Sequence, residues 1–345
     1  MKKWYLLLCT AAFVLSAHSQ SFSLNDLVSY TAYNSSRFEN SIAKRGYRTA
    51  GFNTTVEGRA YTWHEKKAKE AKEENEEPVE KSIFKCDKED KATIAFQTTA
   101  LNEFIVLSQQ LKKEGYHYTE GAKKELYQKD NITIAPMKKE EDGKTVYSFS
   151  IERKALPRAK DIVHAEDFLQ LTSHEYLSAV FGESAVKPDQ FYFSESEVNR
   201  CSVLYPNTSM QVIFIWKDED NLRDPAFILI GGQLLTKSAL LANKQIEQNR
   251  WQSQQGIYSG MSLNELQRLN GKSINIWGWQ SEQPGVVAEK NSGSIDFKNL
   301  HLVLNCLDCN EETSRKKNEM LNSDAVLREG RRVYVSTIIV LPVKK

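Results

Sequence analysis

The clearest pattern in the chain is a recurring order of polar cap, amphipathic helix, glycine and apolar, strand-like runs. Ser23 precedes Asp26 by three residues and Ser262 precedes Glu265 by three, which is the spacing of a helix capping box. Thr172–Glu175 has the same spacing, and these starts predict helices. The apolar positions of the four predicted helices are Leu24, Leu27, Val28, Phe38 and Ile42; Leu101, Phe104, Ile105 and Leu111; Leu177, Val180 and Phe181; and Leu263, Leu266 and Leu269.

A glycine follows each predicted helix, and strand-like runs follow each glycine. Glycines 46, 115, 182 and 271 can adopt the left-handed conformation that ends a helix without a Cβ clash. The predicted strands cover residues 60–64, 82–85, 93–97, 131–136, 145–152, 210–216, 226–230, 274–279, 286–289, 300–305 and 333–341.

This order predicts an α+β fold of tandem units, each a helix followed by strands, with mainly antiparallel sheets and the helices on one face. Neighbouring units pair into an N-terminal domain over 20–157 and a C-terminal domain over 158–345, because Pro157 discourages a continuous strand at the boundary. The stretch 65–81 holds seven Glu and five Lys and interrupts the first domain. We interpret it as a solvated excursion, with a partner-binding arm as the alternative.

Residues 1–19 have the pattern of a signal peptide. Lys2 and Lys3 precede an apolar stretch, and small residues flank His18 at the two positions that a signal peptidase recognises. The apolar stretch is shorter than the roughly 20 residues that a membrane-spanning helix needs. We therefore expect export to the periplasm or the extracellular space, cleavage near Gln20, and no transmembrane segment after cleavage.

Composition limits the classes of partner. Without residues 1–19 the chain carries 44 of its 46 Lys and Arg against 45 Asp and Glu, so no global charge attracts nucleic acid or an anionic membrane. With 40% apolar residues the chain can form packed cores. Cys86, Cys201, Cys306 and Cys309 remain, which permits disulfides but is too few for a disulfide scaffold at this length.

Two short runs resemble known modules. Residues 260–271 have the sequence GMSLNELQRLNG, and residues 177–183 have the sequence LSAVFGE. The first resembles the Gly-Met-Ser/Thr, helix, small-Gly pattern of SmpA/BamE-like and β-lactamase-inhibitor-protein-like units, and the second is similar to the end of the same helix. The whole chain also resembles exported proteins of Bacteroidota-type bacteria with tandem modules. The resemblance implies an exported α+β module that binds proteins; it carries over no binding residue, and the lipid-bearing cysteine of SmpA/BamE is absent here.

The motif with the clearest chemistry is Cys306-Leu307-Asp308-Cys309. Two thiols at this spacing form either a structural disulfide or, beside a helix N-terminus that stabilises a thiolate, a redox pair. A zinc site would need two further ligands, and no second CxxC motif supplies them. No catalytic residue, cofactor or metal is therefore predicted.

Two aromatic clusters are candidate binding residues. Trp277 and Trp279 are alternate residues of a predicted strand and point to one face. If that face is exposed, the rings could stack on sugars or anchor a protein partner; the other interpretation places them in a core. The run Phe191, Tyr192 and Phe193 carries the same two interpretations.

The catalytic patterns that we tested fail on spacing or context. We therefore expect an exported, non-enzymatic protein whose partner is another protein or a cell-envelope component. The alternatives are a glycan-binding module that uses Trp277 and Trp279, and a periplasmic thiol–disulfide protein that uses Cys306 and Cys309.

Overall fold

A computed structural model describes residues 21–52, 59–65, 79–88, 90–119, 125–193, 196–231, 249–309 and 319–343. The chain divides into two compact units, Met1–Ala155 and Leu156–Lys345. The predicted signal peptide and nearly all of the charged stretch 65–81 lie outside the described residues.

Within its described residues, the first unit contains three helices and one antiparallel sheet of eight strands. The strand order across the sheet is β1-β2-β3-β4-β8-β7-β6-β5, so two four-stranded meanders are joined through β4 and β8. The elements are α1 (Leu24–Tyr30), α2 (Ser35–Lys44), β1 (Tyr47–Phe52), β2 (Arg59–Glu65), β3 (Lys81–Asp87), β4 (Lys91–Thr98), α3 (Leu101–Lys113), β5 (His117–Tyr118), β6 (Tyr127–Lys129), β7 (Ile132–Glu141) and β8 (Lys144–Lys154).

Alternate residues of this sheet form the core of the first unit. In β4 and β8 the buried positions follow the two-residue period of a sheet with one covered face. Helices α1 and α3 contact β4, and α3 also contacts β8, so the helices cover that face. Its buried residues include Ile83, Ile94, Phe96, Phe149 and Ile151.

The first predicted helix is two helices in the structure. Helix α1 ends at Tyr30, where the Thr31 hydroxyl donates to Val28 O at 2.6 Å. Asn34 then begins α2, because its side chain accepts the Arg37 N–H at 2.8 Å. The apolar spacing predicted both segments but did not reveal the turn between them.

Two buried cations hold the C-terminal end of α1. Lys85 is 2% exposed, and its Nζ donates to Tyr30 O at 3.2 Å and to Asp87 Oδ1 at 2.7 Å. Arg153 donates from Nη2 to Thr31 O at 2.9 Å. The last carbonyls of a helix lack helical partners and carry partial negative charge, so cations from β3 and β8 complement them.

The second unit contains a six-stranded antiparallel sheet with the order β14-β16-β12-β11-β10-β9 and a small sheet of β13 and β15. Three short 3₁₀ turns cover Ala159–Asp161, Ala165–Gln170 and Glu183–Ala185. The described elements are α4 (His174–Phe181), β9 (Val186–Tyr192), β10 (Val198–Leu204), β11 (Val212–Asp218), β12 (Arg223–Gly231), α5 (Leu263–Asn270), β13 (Asn275–Trp277), β14 (Leu300–Cys306), β15 (Met320–Asn322), α6 (Ser323–Arg328) and β16 (Val333–Val340). The prediction of an α+β fold with antiparallel sheets is confirmed in both units.

Both faces of the six-stranded sheet are apolar at its centre. On one face Phe214 contacts the ring of Phe168, which in turn contacts Trp251. On the other face Cys201, Val203, Ile215 and Leu229 form a buried cluster. The near-continuous apolar runs of β11 and β12 correspond to strands that bury side chains in both directions.

Asparagine side chains satisfy the backbone of the long connections in this unit. Asn270, fully buried, donates to Lys272 O and Ser292 O at 3.0 Å each and accepts from Ile295 N at 3.2 Å. Gly293 lies against the same amide, with a φ of 144°, and a Cβ there would fall 2.2 Å from Asn270 Oδ1. The connection therefore requires both residues.

Several local predictions were wrong. Helix α4 begins after Ser173, whose hydroxyl accepts the Tyr176 N–H, and not after Thr172. The predicted strand 274–279 shortens to β13, and the predicted strand 286–289 forms only single bridges to Ile276 and Val303. In α3, Leu101 and Ile105 are exposed, because the stripe that includes Leu107 and Leu111 is the one that faces the sheet.

We expect the variant Lys85→Met to lower the free energy of unfolding by about 1–3 kcal/mol, because it leaves the buried Tyr30 carbonyl without its cationic donor. Equilibrium denaturation measures this. Lys91→Met is the matched control, since Lys91 is an exposed lysine on the adjacent strand, and its effect should be much smaller.

The pH dependence of the free energy of unfolding provides a second test with Lys85→Met. Desolvation by burial lowers the pKa of Lys85 below 10.5, although Asp87 opposes the shift. Below 10.5 the unfolded chain therefore binds more protons at this residue than the folded chain, and the contribution of Lys85 to stability rises with pH in that alkaline window. The stability difference between the wild-type protein and Lys85→Met should widen there; a difference that narrows would contradict the assignment.

Candidate functional site

Large apolar side chains are exposed at the end of the β9–β10 hairpin. Tyr192 is 64% exposed, Phe193 42% and Val198 40%. Phe191 is half-buried and packs against the apolar cluster around Cys201. We call Phe191, Tyr192, Phe193 and Val198 the aromatic tip.

Ring contacts fix the aromatic tip to the sheet. The ring centroids of Phe191 and Phe193 are 4.7 Å apart, and those of Phe193 and Phe227 are 5.8 Å apart. The Phe193 N–H donates to Glu197 O at 2.9 Å, which closes the hairpin. The Phe193 ring is therefore held by packed neighbours, and little of its conformational entropy remains to be lost when a partner covers it. Tyr192, the intervening residue of the strand, points to the opposite face, where its hydroxyl donates to Gln190 Oε1.

Among the described residues, β9 is an edge strand of the six-stranded sheet. Its hydrogen bonds to β10 are made at alternate positions, since Phe193 N donates to Glu197 O and Tyr205 N donates to Ala185 O at the two ends. In an antiparallel ladder, the residues between these positions direct their backbone groups outward. The outward positions are Val186, Pro188, Gln190 and Tyr192.

Two of these outward positions cannot donate to an added strand. Pro188 has no N–H group. The N–H of Gln190 is occupied by its neighbour, because it donates to Asp189 Oδ1 at 2.8 Å. Proline and charged residues are devices by which proteins block edge-to-edge pairing. The edge is therefore protected against strand addition, and contact with a partner is left to side chains.

Polar groups surround the aromatic tip on the β10–β11 side. Glu219 accepts from Asn199 Nδ2 at 2.7 Å and from the Arg200 N–H at 2.8 Å. The Arg200 side chain in turn donates to Asp220 O at 3.4 Å. Apolar rings beside a polar rim are the composition typical of protein–protein contact surfaces.

A serine and a histidine meet elsewhere in this unit, but not as a catalytic pair. Ser202 Oγ lies 2.8 Å from His174 Nδ1 and accepts from Trp216 Nε1 at 3.0 Å. Ser202 is 0% exposed, so no substrate can reach its oxygen. The three side chains satisfy one another between α4 and the sheet, which is a structural role.

Cys306 and Cys309 form a disulfide at the end of β14, with Cα atoms 5.6 Å apart. Both residues are half-buried. Cys306 ends a strand and begins no helix in the described chain, so the helix-terminus setting of a redox pair is not seen there.

The loop between the two cysteines is bonded to the start of β16. Leu307 N donates to Arg332 O at 3.0 Å, and Asp308 accepts from the Arg332 N–H at 2.9 Å and from its Nε at 3.2 Å. Arg331 donates to Asp308 O at 3.2 Å. The Arg332 hydrogen bonds lower the pKa of Asp308, so this carboxylate is charged at neutral pH.

The two tryptophans are half-buried, and they do not share a strand. Trp277 ends β13, where its N–H donates to Val286 O at 2.8 Å, and Trp279 lies in the following turn. The Trp279 Nε1 is buried and has no hydrogen-bond partner within the described part of the chain. It lies beside Gly285, where a Cβ would come within 2.0 Å of Leu304 O. This packing leaves neither ring as a fully exposed platform.

Sequence reasoning identified the aromatic run of the tip but could not decide its exposure. It did not predict the protected edge, because the register with β10 determines which backbone groups of Pro188 and its neighbours point outward. It also missed Asp308 and Arg332, which are 24 residues apart in the chain and adjacent in the fold.

Among the described residues, no helix combines the length and the apolar character needed to cross a bilayer. Comparison of the chain with protein-family models, curated proteins and solved structures gave no match.

Two further cysteines of the described residues, Cys86 and Cys201, are buried free thiols. Burial and, secondarily, the charge of Asp189 raise the pKa of Cys201 to about 12. We expect a thiol-alkylating reagent at mildly alkaline pH to label Cys306 and Cys309 in the reduced, folded protein far faster than Cys201, as peptide mass spectrometry can show. Equal rates would contradict the burial of Cys201, and labelling in denaturant provides the control.

Proposed function

We propose that this protein is an exported, non-enzymatic binding protein of the periplasm or extracellular space, and that its ligand is another protein. The observation that carries the proposal is the aromatic tip, where Tyr192, Phe193 and Val198 are exposed on a hairpin fixed by ring packing. Tyrosine and other aromatic residues dominate the binding energy of many protein interfaces.

The chemistry of the aromatic tip favours a folded protein partner over an extended peptide. The two central outward positions of β9 offer no free N–H, so strand addition would leave carbonyl groups of the incoming strand without donors. Exposed aromatic rings beside a polar rim instead suit an apolar depression on a partner surface. The Tyr192 hydroxyl, which donates to Gln190 Oε1 at 3.1 Å, also remains on the exposed side.

The glycan-binding alternative receives less support. Sugar stacking needs an open ring face, whereas Trp277 and Trp279 are both half-buried and the Trp279 Nε1 is enclosed. Nothing in the described residues sets these two rings side by side as a platform.

We expect the variant Tyr192→Ala to lower partner affinity by about 2 kcal/mol or more, roughly 30-fold, as at an aromatic hot spot. The measurement is affinity purification from the native envelope with quantitative mass spectrometry, followed by titration of the recovered partner. Tyr118→Ala is the matched control, because Tyr118 is 55% exposed in the other unit and should have no effect.

Equal recovery of partners by the wild-type protein and Tyr192→Ala would contradict the proposal. Because Tyr192 is largely exposed, its replacement should leave the fold intact, and thermal unfolding of each bait verifies this.

The thiol–disulfide alternative rests on the half-exposed disulfide of Cys306 and Cys309. We expect the protein to show no reductase turnover on insulin disulfides, because Cys306 ends a strand and begins no helix among the described residues. We also expect Cys306→Ser with Cys309→Ser to leave partner binding unchanged. Turnover that is abolished by Cys306→Ser would overturn the non-enzymatic assignment.

A further inference from the structure

The Cys306–Cys309 loop contains a third potential metal ligand, the carboxylate of Asp308. One ligand atom from each of Cys306, Asp308 and Cys309 lies within 4.8 Å of the other two. Asp308 Oδ1 is 3.4 Å from Cys306 Sγ. Zinc–sulfur and zinc–oxygen bonds of about 2.3 and 2.0 Å place two ligands of a tetrahedron about 3.5 Å apart, so this pair already has the required separation.

The loop holds its position by bonds that do not involve the disulfide. Leu307 N and the Asp308 carboxylate are both bonded to Arg332, and Cys306 pairs with Val333 in the sheet. Reduction therefore leaves residues 306–308 fixed, and in the oxidised form the Cys309 Cα lies 5.6 Å from that of Cys306. Rotation of the two cysteine side chains then brings the sulfurs to the separation of two ligands in a tetrahedral zinc site.

The local charge suits this ligand set. Two thiolates and one carboxylate around a divalent cation leave one net negative charge. Arg331 and Arg332 both bond to Asp308 and supply compensating positive charge.

We propose that the reduced form of this loop is a binding site for a thiophilic divalent cation of the zinc class, held by the sulfurs of Cys306 and Cys309 and by Asp308 Oδ1. Water completes the tetrahedron. The disulfide form does not bind, since its sulfurs are bonded to each other. A dithiol reductant supplies two electrons and two protons to open the disulfide and becomes a disulfide itself; the cation then displaces the two thiol protons.

Zinc titration of two samples tests the proposed site. One is the oxidised protein; the other is protein that has been reduced by a dithiol and separated from the dithiol under inert gas. A chromophoric chelator reports zinc affinity, and Co²⁺ in place of zinc reports thiolate ligation by its charge-transfer absorption. We expect one Zn²⁺ per reduced chain, none per oxidised chain, and none with Cys306→Ser or Cys309→Ser.

The variant Asp308→Asn separates this site from simple chelation by two thiols. We expect zinc affinity to fall about tenfold or more, since even groups that only orient a metal ligand contribute about 10- to 100-fold. Cys201→Ser is the matched control for a cysteine outside the site and should bind as the wild-type protein does. Circular dichroism verifies the fold of each variant.

Equal zinc binding by oxidised and reduced protein would overturn the proposal, as would failure of the reduced protein to retain zinc. Unchanged affinity in a folded Asp308→Asn variant would overturn the three-ligand site. The aromatic tip lies on other strands, so none of these outcomes bears on the proposed protein-binding function.

Discussion

Satisfaction of backbone hydrogen bonds is the constraint on which the rest of this structure depends. A buried carbonyl or N–H without a partner costs about as much as a lost hydrogen bond, so each helix end, connection and sheet edge needs a specific solution. In the first unit Lys85 and Arg153 serve the end of α1 from the sheet beneath it. In the second unit the amide of Asn270 holds a connection that has little regular structure of its own.

The same constraint shapes the surface through which we propose the protein binds. At the β9 edge of the six-stranded sheet, Pro188 removes one outward donor and Asp189 occupies that of Gln190. An edge of this kind does not recruit a further strand, and recognition then depends on side chains. The aromatic tip is where such side chains are exposed, with Phe191 packed against the buried cluster below.

The fold class could be predicted from the sequence because it depends on the short-range spacing of capping and apolar residues. Capping boxes, three- and four-residue apolar spacing and two-residue alternation located most helices and strands. The details that failed depend on tertiary contacts. Nothing local distinguishes Ile105, which is exposed, from Leu107, which is buried, until the sheet beneath α3 is known. Likewise the Asp308–Arg332 pair and the outward direction of Pro188 follow from strand register, which short-range patterns do not specify.

Photo-cross-linking in the native cell tests most directly whether the aromatic tip contacts a protein partner. A photoreactive phenylalanine analogue replaces Tyr192 in one strain and Tyr118, an exposed tyrosine of the first unit, in another. We expect a discrete protein adduct after irradiation of the first strain and none from the second. Absence of an adduct at Tyr192, or the same adduct from both positions, would contradict binding through the aromatic tip.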